Sequence, residues 1–204
     1  LAALCFSCFE PETSKNMPNL VAGKNENQAE LSTKDLTPSP TPPGGFPDFR
    51  NFKYPGYCFD VDRHPFTLTD GEFKEKKKSG MWIKFRNSYF ADVTRDGDPD
   101  AMVVLSIITG GSAAPNCVYI FSKGKGDHPK LIELWAVETG DRADGGLRKI
   151  YDENGDLVIE RYLSEGKLGD CCPQYYMKET YRWERDRFNK VSEEKVSNPV
   201  SGTE

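Results

Sequence analysis

From Phe46 onward the chain is a succession of short apolar runs divided by polar, glycine-containing turns, and no segment sustains a 3.6-residue period. Phe66–Thr69 and Glu72–Lys74 flank Asp70-Gly71, a strong two-residue hairpin signal. Trp82–Phe85 and Tyr89–Val93 read as two further strands. Ala101–Ile108 is apolar and rich in β-branched residues almost without interruption, the pattern of a central strand buried on both faces. Val118–Phe121 and Leu131–Val137 pair across the polar stretch 122–130. Leu147–Tyr151 and Leu157–Leu163 flank a turn with Asn154-Gly155 at its tip. Tyr175–Trp183 and Arg187–Val191 close the series. Strand signals about ten residues apart predict an all-β, mainly antiparallel domain over residues 46–191, a meander that closes into a barrel-like form or a sandwich. Residues 192–204 are polar and are expected to fray.

The chain before Phe46 has a different character. Residues 10–45 hold no aromatic side chain and carry Pro11, Pro18, Pro38, Pro40, Pro42 and Pro43. Such a segment buries too little surface to offset chain entropy, so a disordered, extended tether is expected. Residues 1–9 are the most apolar stretch and read as the end of a signal-peptide apolar region or a lipid-anchor region. Ser7 before Cys8 suits lipidation at Cys8, and Cys5, preceded by Leu4, is the alternative anchor. Between tether and strands, Phe46, Phe49, Phe52, Tyr54, Tyr57 and Phe59 crowd into fourteen residues, a set of rings expected to pack on the domain.

Composition narrows the function classes. Hydrophobic residues make up 37% of the 204, so part of the chain packs nothing. The net charge of −5 argues against nucleic acid as a partner, since phosphate binding needs a basic face. The basic run Lys74–Lys78 contains Glu75 and reads as a solvated turn. No apolar run reaches 18 residues, so no spanning helix is expected. The six cysteines follow no zinc spacing. In an exported chain Cys58, Cys117, Cys171 and Cys172 are disulfide candidates. The expectation is that Cys58 and Cys117 each find a partner in the Cys171-Cys172 pair, or that one such bridge forms, with buried free thiols as the alternative.

Candidate chemistry centres on Asp92-Val93-Thr94-Arg95-Asp96-Gly97-Asp98-Pro99-Asp100. Asp92, Asp96, Asp98 and Asp100 could gather oxygen ligands for Ca2+, but Val103 stands where an EF-hand loop has its bidentate carboxylate. The alternative is a tight solvated turn. No other cofactor is implied. The loop 139–146 offers Asp141, Arg142 and Asp144 as recognition residues for a carboxylate or phosphate. No nucleophile-and-base arrangement stands out: His64 and His128 lie in loop-like contexts, and Cys58 and Cys117 are thiols expected to be bridged. No catalytic residue is assigned.

The ordered set formed by the acidic turn, Thr109-Gly110-Gly111-Ser112, Gly140–Gly146 and Cys171-Cys172-Pro173 resembles uncharacterised exported bacterial proteins and lipoproteins, acidobacterial ones among them and, more distantly, the LppP/LprE lipoproteins. The resemblance covers roughly residues 46–190 and implies export and β architecture, with no catalytic residues to carry over. The expected function is therefore that of a non-enzymatic, periplasmic or outer-surface β domain. It would be held to the membrane by an N-terminal lipid and act in binding or as an accessory subunit of a membrane complex. A calcium-dependent ligand- or glycan-binding module and a hydrolase are the alternatives.

Overall fold

The computed structural model describes residues 42–60, 62–75, 80–110, 114–124, 128–137, 146–163 and 173–198. These form an all-β domain of antiparallel strands. The strands are β1 (Lys53–Tyr54), β2 (Phe66–Thr67), β3 (Glu72–Lys74), β4 (Trp82–Ala91), β5 (Asp100–Ile108), β6 (Asn116–Ser122), β7 (Lys130–Val137), β8 (Leu147–Glu153), β9 (Asp156–Leu163), β10 (Tyr175–Glu184) and β11 (Arg187–Ser197). β3-β4-β5-β6-β7 form one meander sheet and β8-β9-β10-β11 a second, while β1 and β2 pair separately.

The central strand β5 organises the packing. Its side chains alternate between two cores, as strand geometry requires. Ala101, Val103, Leu105 and Ile107 enter one core with Ile83, Cys117, Tyr119 and Phe121. Met102 and Val104 enter the other with Val118, Ile120, Ile150, Leu157 and Ile159. The second core is the seam between the two sheets. The first is closed by the aromatic segment ahead of β3, so the domain has three layers. Phe49, in a short 3₁₀ turn capped by Asp48, stacks on Phe121 at 5.3 Å. Tyr54 stacks on Phe66 at 5.3 Å and meets Tyr119 edge-on at 5.0 Å. The buried hydroxyls remain satisfied: Tyr54 donates to the Phe49 carbonyl and Tyr119 to the Gly56 carbonyl, at 2.8 and 2.7 Å.

Both expected hairpin tips take the left-handed conformation that such two-residue turns need: φ is +52° and +84° at Asp70-Gly71, and +57° and +78° at Asn154-Gly155. Several expectations need correction. Phe66–Thr67 pairs with Lys53–Tyr54 and not with β3; only Thr69 bridges Glu72 across the Asp70-Gly71 turn. The strands expected at 82–85 and 89–93 are one strand, β4, carried through a bulge at Arg86. The polar segment from residue 192 does not fray at once, because Ser192–Ser197 pair with Tyr175–Thr180. It is polar because β11 is a sheet edge, where charge and a bulge deter pairing with other chains. The bulge falls at Val191, since Tyr181 opposes Lys190 and Thr180 opposes Ser192.

The cysteine pairing differs too. Cys58 and Cys117 are bonded to each other, with a Cα–Cα distance of 5.6 Å, so neither bridges the Cys171-Cys172 pair. Aromatic packing brings the segment bearing Cys58 over β6, which places it opposite Cys117. Cys5, Cys8, Cys171 and Cys172, the tether to residue 41, and Asp141, Arg142 and Asp144 lie outside the described residues.

Candidate functional site

The acidic loop joins β4 to β5, and its carboxylates turn inward onto its own backbone. Asp92 accepts from the Asp96 and Gly97 N–H groups at 3.1 and 2.9 Å. Asp96 accepts from the Asp98 N–H at 2.9 Å, and Asp98 meets the Lys123 ammonium at 2.8 Å. Asp100 accepts from the Val93 and Thr94 N–H groups at 3.0 and 2.9 Å through one oxygen. Short Asp side chains that cap nearby N–H groups in this way stabilise turns. The four carboxylates do not converge as a ligand set, and each already serves the loop or Lys123.

Asp100 differs from the other three. It is 1% exposed, and its Oδ1 has no hydrogen-bond partner. The Thr94 hydroxyl lies against the same carboxyl, yet its buried oxygen also lacks a bond of proper geometry. Burial pushes the Asp100 carboxyl up to about 6, the Asp96 charge adds to this, and the Thr94 and Val93 N–H groups oppose it.

Arg95, at φ +61°, reaches from the acidic loop to the β8–β9 turn. Its guanidinium donates to the Gly155 and Asn154 carbonyls at 3.2 and 3.1 Å and to Asp156 at 2.6 Å. Arg182 on β10 takes the same carboxylate with two bonds, at 3.0 and 2.8 Å. Arg182, then Arg95, hold Asp156 below the usual carboxylate range against its burial. The two sequence turns that stood out, 92–100 and 153–156, are thus one structure, clasped through Arg95. Neither Arg95 nor Asp156 was singled out by sequence, because their partnership spans the two sheets.

A second charged cluster lies on β9–β11. Glu179 is 4% exposed. It receives Arg161 in a bidentate fork, both bonds 3.0 Å, and Lys190 at 2.7 Å. Burial raises the Glu179 carboxyl, but Arg161 and Lys190 outweigh it and the net shift is downward. Beside this cluster Tyr181 and Phe188 pack against Trp135 of β7. On the outer face Glu160 is buried against Arg148 and the Tyr151 hydroxyl. Lys74 and Lys84 place their ammonium groups over the Trp82 ring at 4.3 and 3.4 Å. Lys76, Lys77 and Lys78 lie outside the described residues.

The histidines and cysteines weighed for a hydrolase, none of them assigned a catalytic role, form no thiol–imidazole pair among the described residues. Cys58 and Cys117 are consumed in their bridge. His128 is exposed. His64 is exposed also, but its Nδ1 lies 3.1 Å from Asp60, whose carboxylate accepts the Asp62 and His64 N–H groups. Asp60, Asp62 and His64 are the one group among the described residues whose potential metal-ligating atoms converge, all within 4.8 Å of one another. His64 stands between Arg63 and Pro65 in a loop-like context that conceals the group, and the D-x-D-x-H spacing is its one signal in the sequence. Comparison with known proteins adds no assignment: no family model, no curated protein and no solved structure matches the chain.

Proposed function

We propose that this chain is an exported, membrane-tethered β domain that works by binding, as an accessory subunit of a complex at the cell envelope. The observation that carries the reading is the Cys58–Cys117 bridge, which joins the aromatic layer to β6 inside the first core. Stable structural disulfides belong to oxidising compartments. A proline-rich stretch ahead of the domain, following an apolar N-terminal segment, suits a domain held off a membrane. The resemblance to exported lipoproteins points the same way. Among the described residues the buried carboxylates of Asp156, Glu160 and Glu179 are paired with Arg95, Arg148 and Arg161 in strand-crossing ion networks, an arrangement that supports a rigid scaffold. The calcium-dependent alternative draws no support from the acidic loop, whose carboxylates cap their own turn.

Native purification from membranes tests this reading, with mass spectrometry of the N-terminus and of co-eluting chains. The expected result is a lipid-modified cysteine at position 8 or 5 and stoichiometric partner chains. A soluble, unlipidated protein that runs alone would overturn it.

A further inference from the structure

We propose that Asp60, Asp62 and His64 form a binding site for a borderline divalent transition metal, Zn2+ being the type case, with the remaining coordination positions open to water or to a donor from a partner. Two carboxylates and an imidazole are an N/O ligand set, and imidazole favours Zn2+ and its neighbours over Ca2+ or Mg2+. Three protein ligands with a free position are the pattern of an open zinc site.

The turn that carries these ligands is clamped before any ion arrives. The Asp60 N–H donates to the Tyr57 carbonyl and the Arg63 N–H to the Asp60 carbonyl, each at 3.1 Å. Arg63, at φ +48°, packs so closely on Gly56 that a Cβ there would sit 2.7 Å from the Arg63 Cα. Gly56 is itself held by the buried Tyr119 hydroxyl, and Cys58 by its bridge to Cys117. The segment is therefore pinned to β6 at two places, and a pinned turn loses little entropy when it takes an ion.

Asp60 is the fixed ligand. Its side chain is 12% exposed, and the backbone N–H groups of Asp62 and His64 orient it. Each carboxylate oxygen that accepts one N–H retains a further lone pair for a cation. Asp62 and His64 are exposed, so rotation about their side-chain bonds can draw ligand atoms now within 4.8 Å to the roughly 2.0–2.2 Å metal distances of such sites. Turn capping and the 3.1 Å Asp60–His64 pair account for two of the three side chains. The exposed Asp62 carboxylate brings a third ligand oxygen within 4.8 Å of both.

The test is titration of the metal-free, oxidised full chain with ZnCl2 at pH 7.5 by calorimetry, beside Asp62→Asn and His64→Ala. Both substitutions are at exposed positions and should leave the far-ultraviolet circular dichroism unchanged. The expected result is one saturable site, weakened by about tenfold or more in each variant, at least the loss that follows removal of an outer-shell partner. Co2+ in place of Zn2+ separates this site from the thiols elsewhere in the chain: visible bands without a thiolate charge-transfer band, lost in His64→Ala, are expected. No saturable binding, equal binding in both variants, or thiolate-type Co2+ spectra would overturn the proposal.

Discussion

At the scale of single residues, Asp100 carries the clearest pH signature. Its folded carboxyl holds a proton up to about 6, whereas the ordinary value is 3.8. The native state therefore binds the proton more tightly than the unfolded chain between those values. By linkage, this group's contribution to stability falls as pH rises from about 4 to about 6 and is level above. Asp100→Asn keeps an acceptor for the Val93 and Thr94 N–H groups and removes the titration. Between pH 4 and 7 the variant should gain on the parent by about 1–2 kcal/mol, allowing for solvent access and relaxation of the loop. Urea midpoints at the two pH values measure this, and parallel curves for the two proteins would assign the titration elsewhere. Asp156 and Glu179 have lowered values and act in the opposite sense: their contributions are present above the ordinary carboxylate range and are lost as pH falls through it.

At the scale of elements, two contacts join pieces that lie far apart in sequence. Arg95 ties the β4–β5 loop to the β8–β9 turn, 59 to 61 residues away. Arg95→Ala should speed amide exchange at 92–99 and 154–156 together and leave β5 protected, since local openings follow such contacts. Exchange confined to one of the two segments would show that the clasp does not couple them. Glu179→Ala leaves Arg161 partly buried with no counter-charge across the strand, at a cost of about 2–3 kcal/mol in a chemical denaturation curve, less than for a fully buried pair because Arg161 and Lys190 are partly solvated. The strands themselves were legible: β5 announced its double burial through an unbroken apolar run, and Asn154-Gly155 announced its turn. The bulges at Arg86 and Val191 were not, because one extra residue leaves a composition that reads as a strand break or a tail. The clasp was hidden for a different reason. Acidic spacing looked like a ligand set, and only the fold shows each oxygen facing a backbone N–H.

At the scale of the whole domain, the aromatic layer ahead of β3, residues 46–71, has among the described residues little hydrogen-bonded strand of its own beyond the two-residue pair β1–β2, so it depends on ring packing and on the bridge. Four candidate cysteines left the connectivity open, since sequence alone allows several pairings. The observed pairing closes a span of 59 residues from the layer to β6. Chain entropy assigns a closure of that length about 4 kcal/mol. Reduction should therefore lower stability by that amount, and it should do so unevenly. Exchange protection should fall first in residues 46–74, with loss of the near-ultraviolet aromatic signal from Phe49, Tyr54 and Phe66. The seam between the two sheets, built on Met102, Val118, Leu157 and Ile159, has no cysteine among its described residues and should keep its protection. A cysteine-to-serine pair at 58 and 117 distinguishes loss of this bridge from any effect of the reductant at the other cysteines. If the aromatic layer and the seam lost protection together, the bridge would be holding the entire domain and not one of its layers.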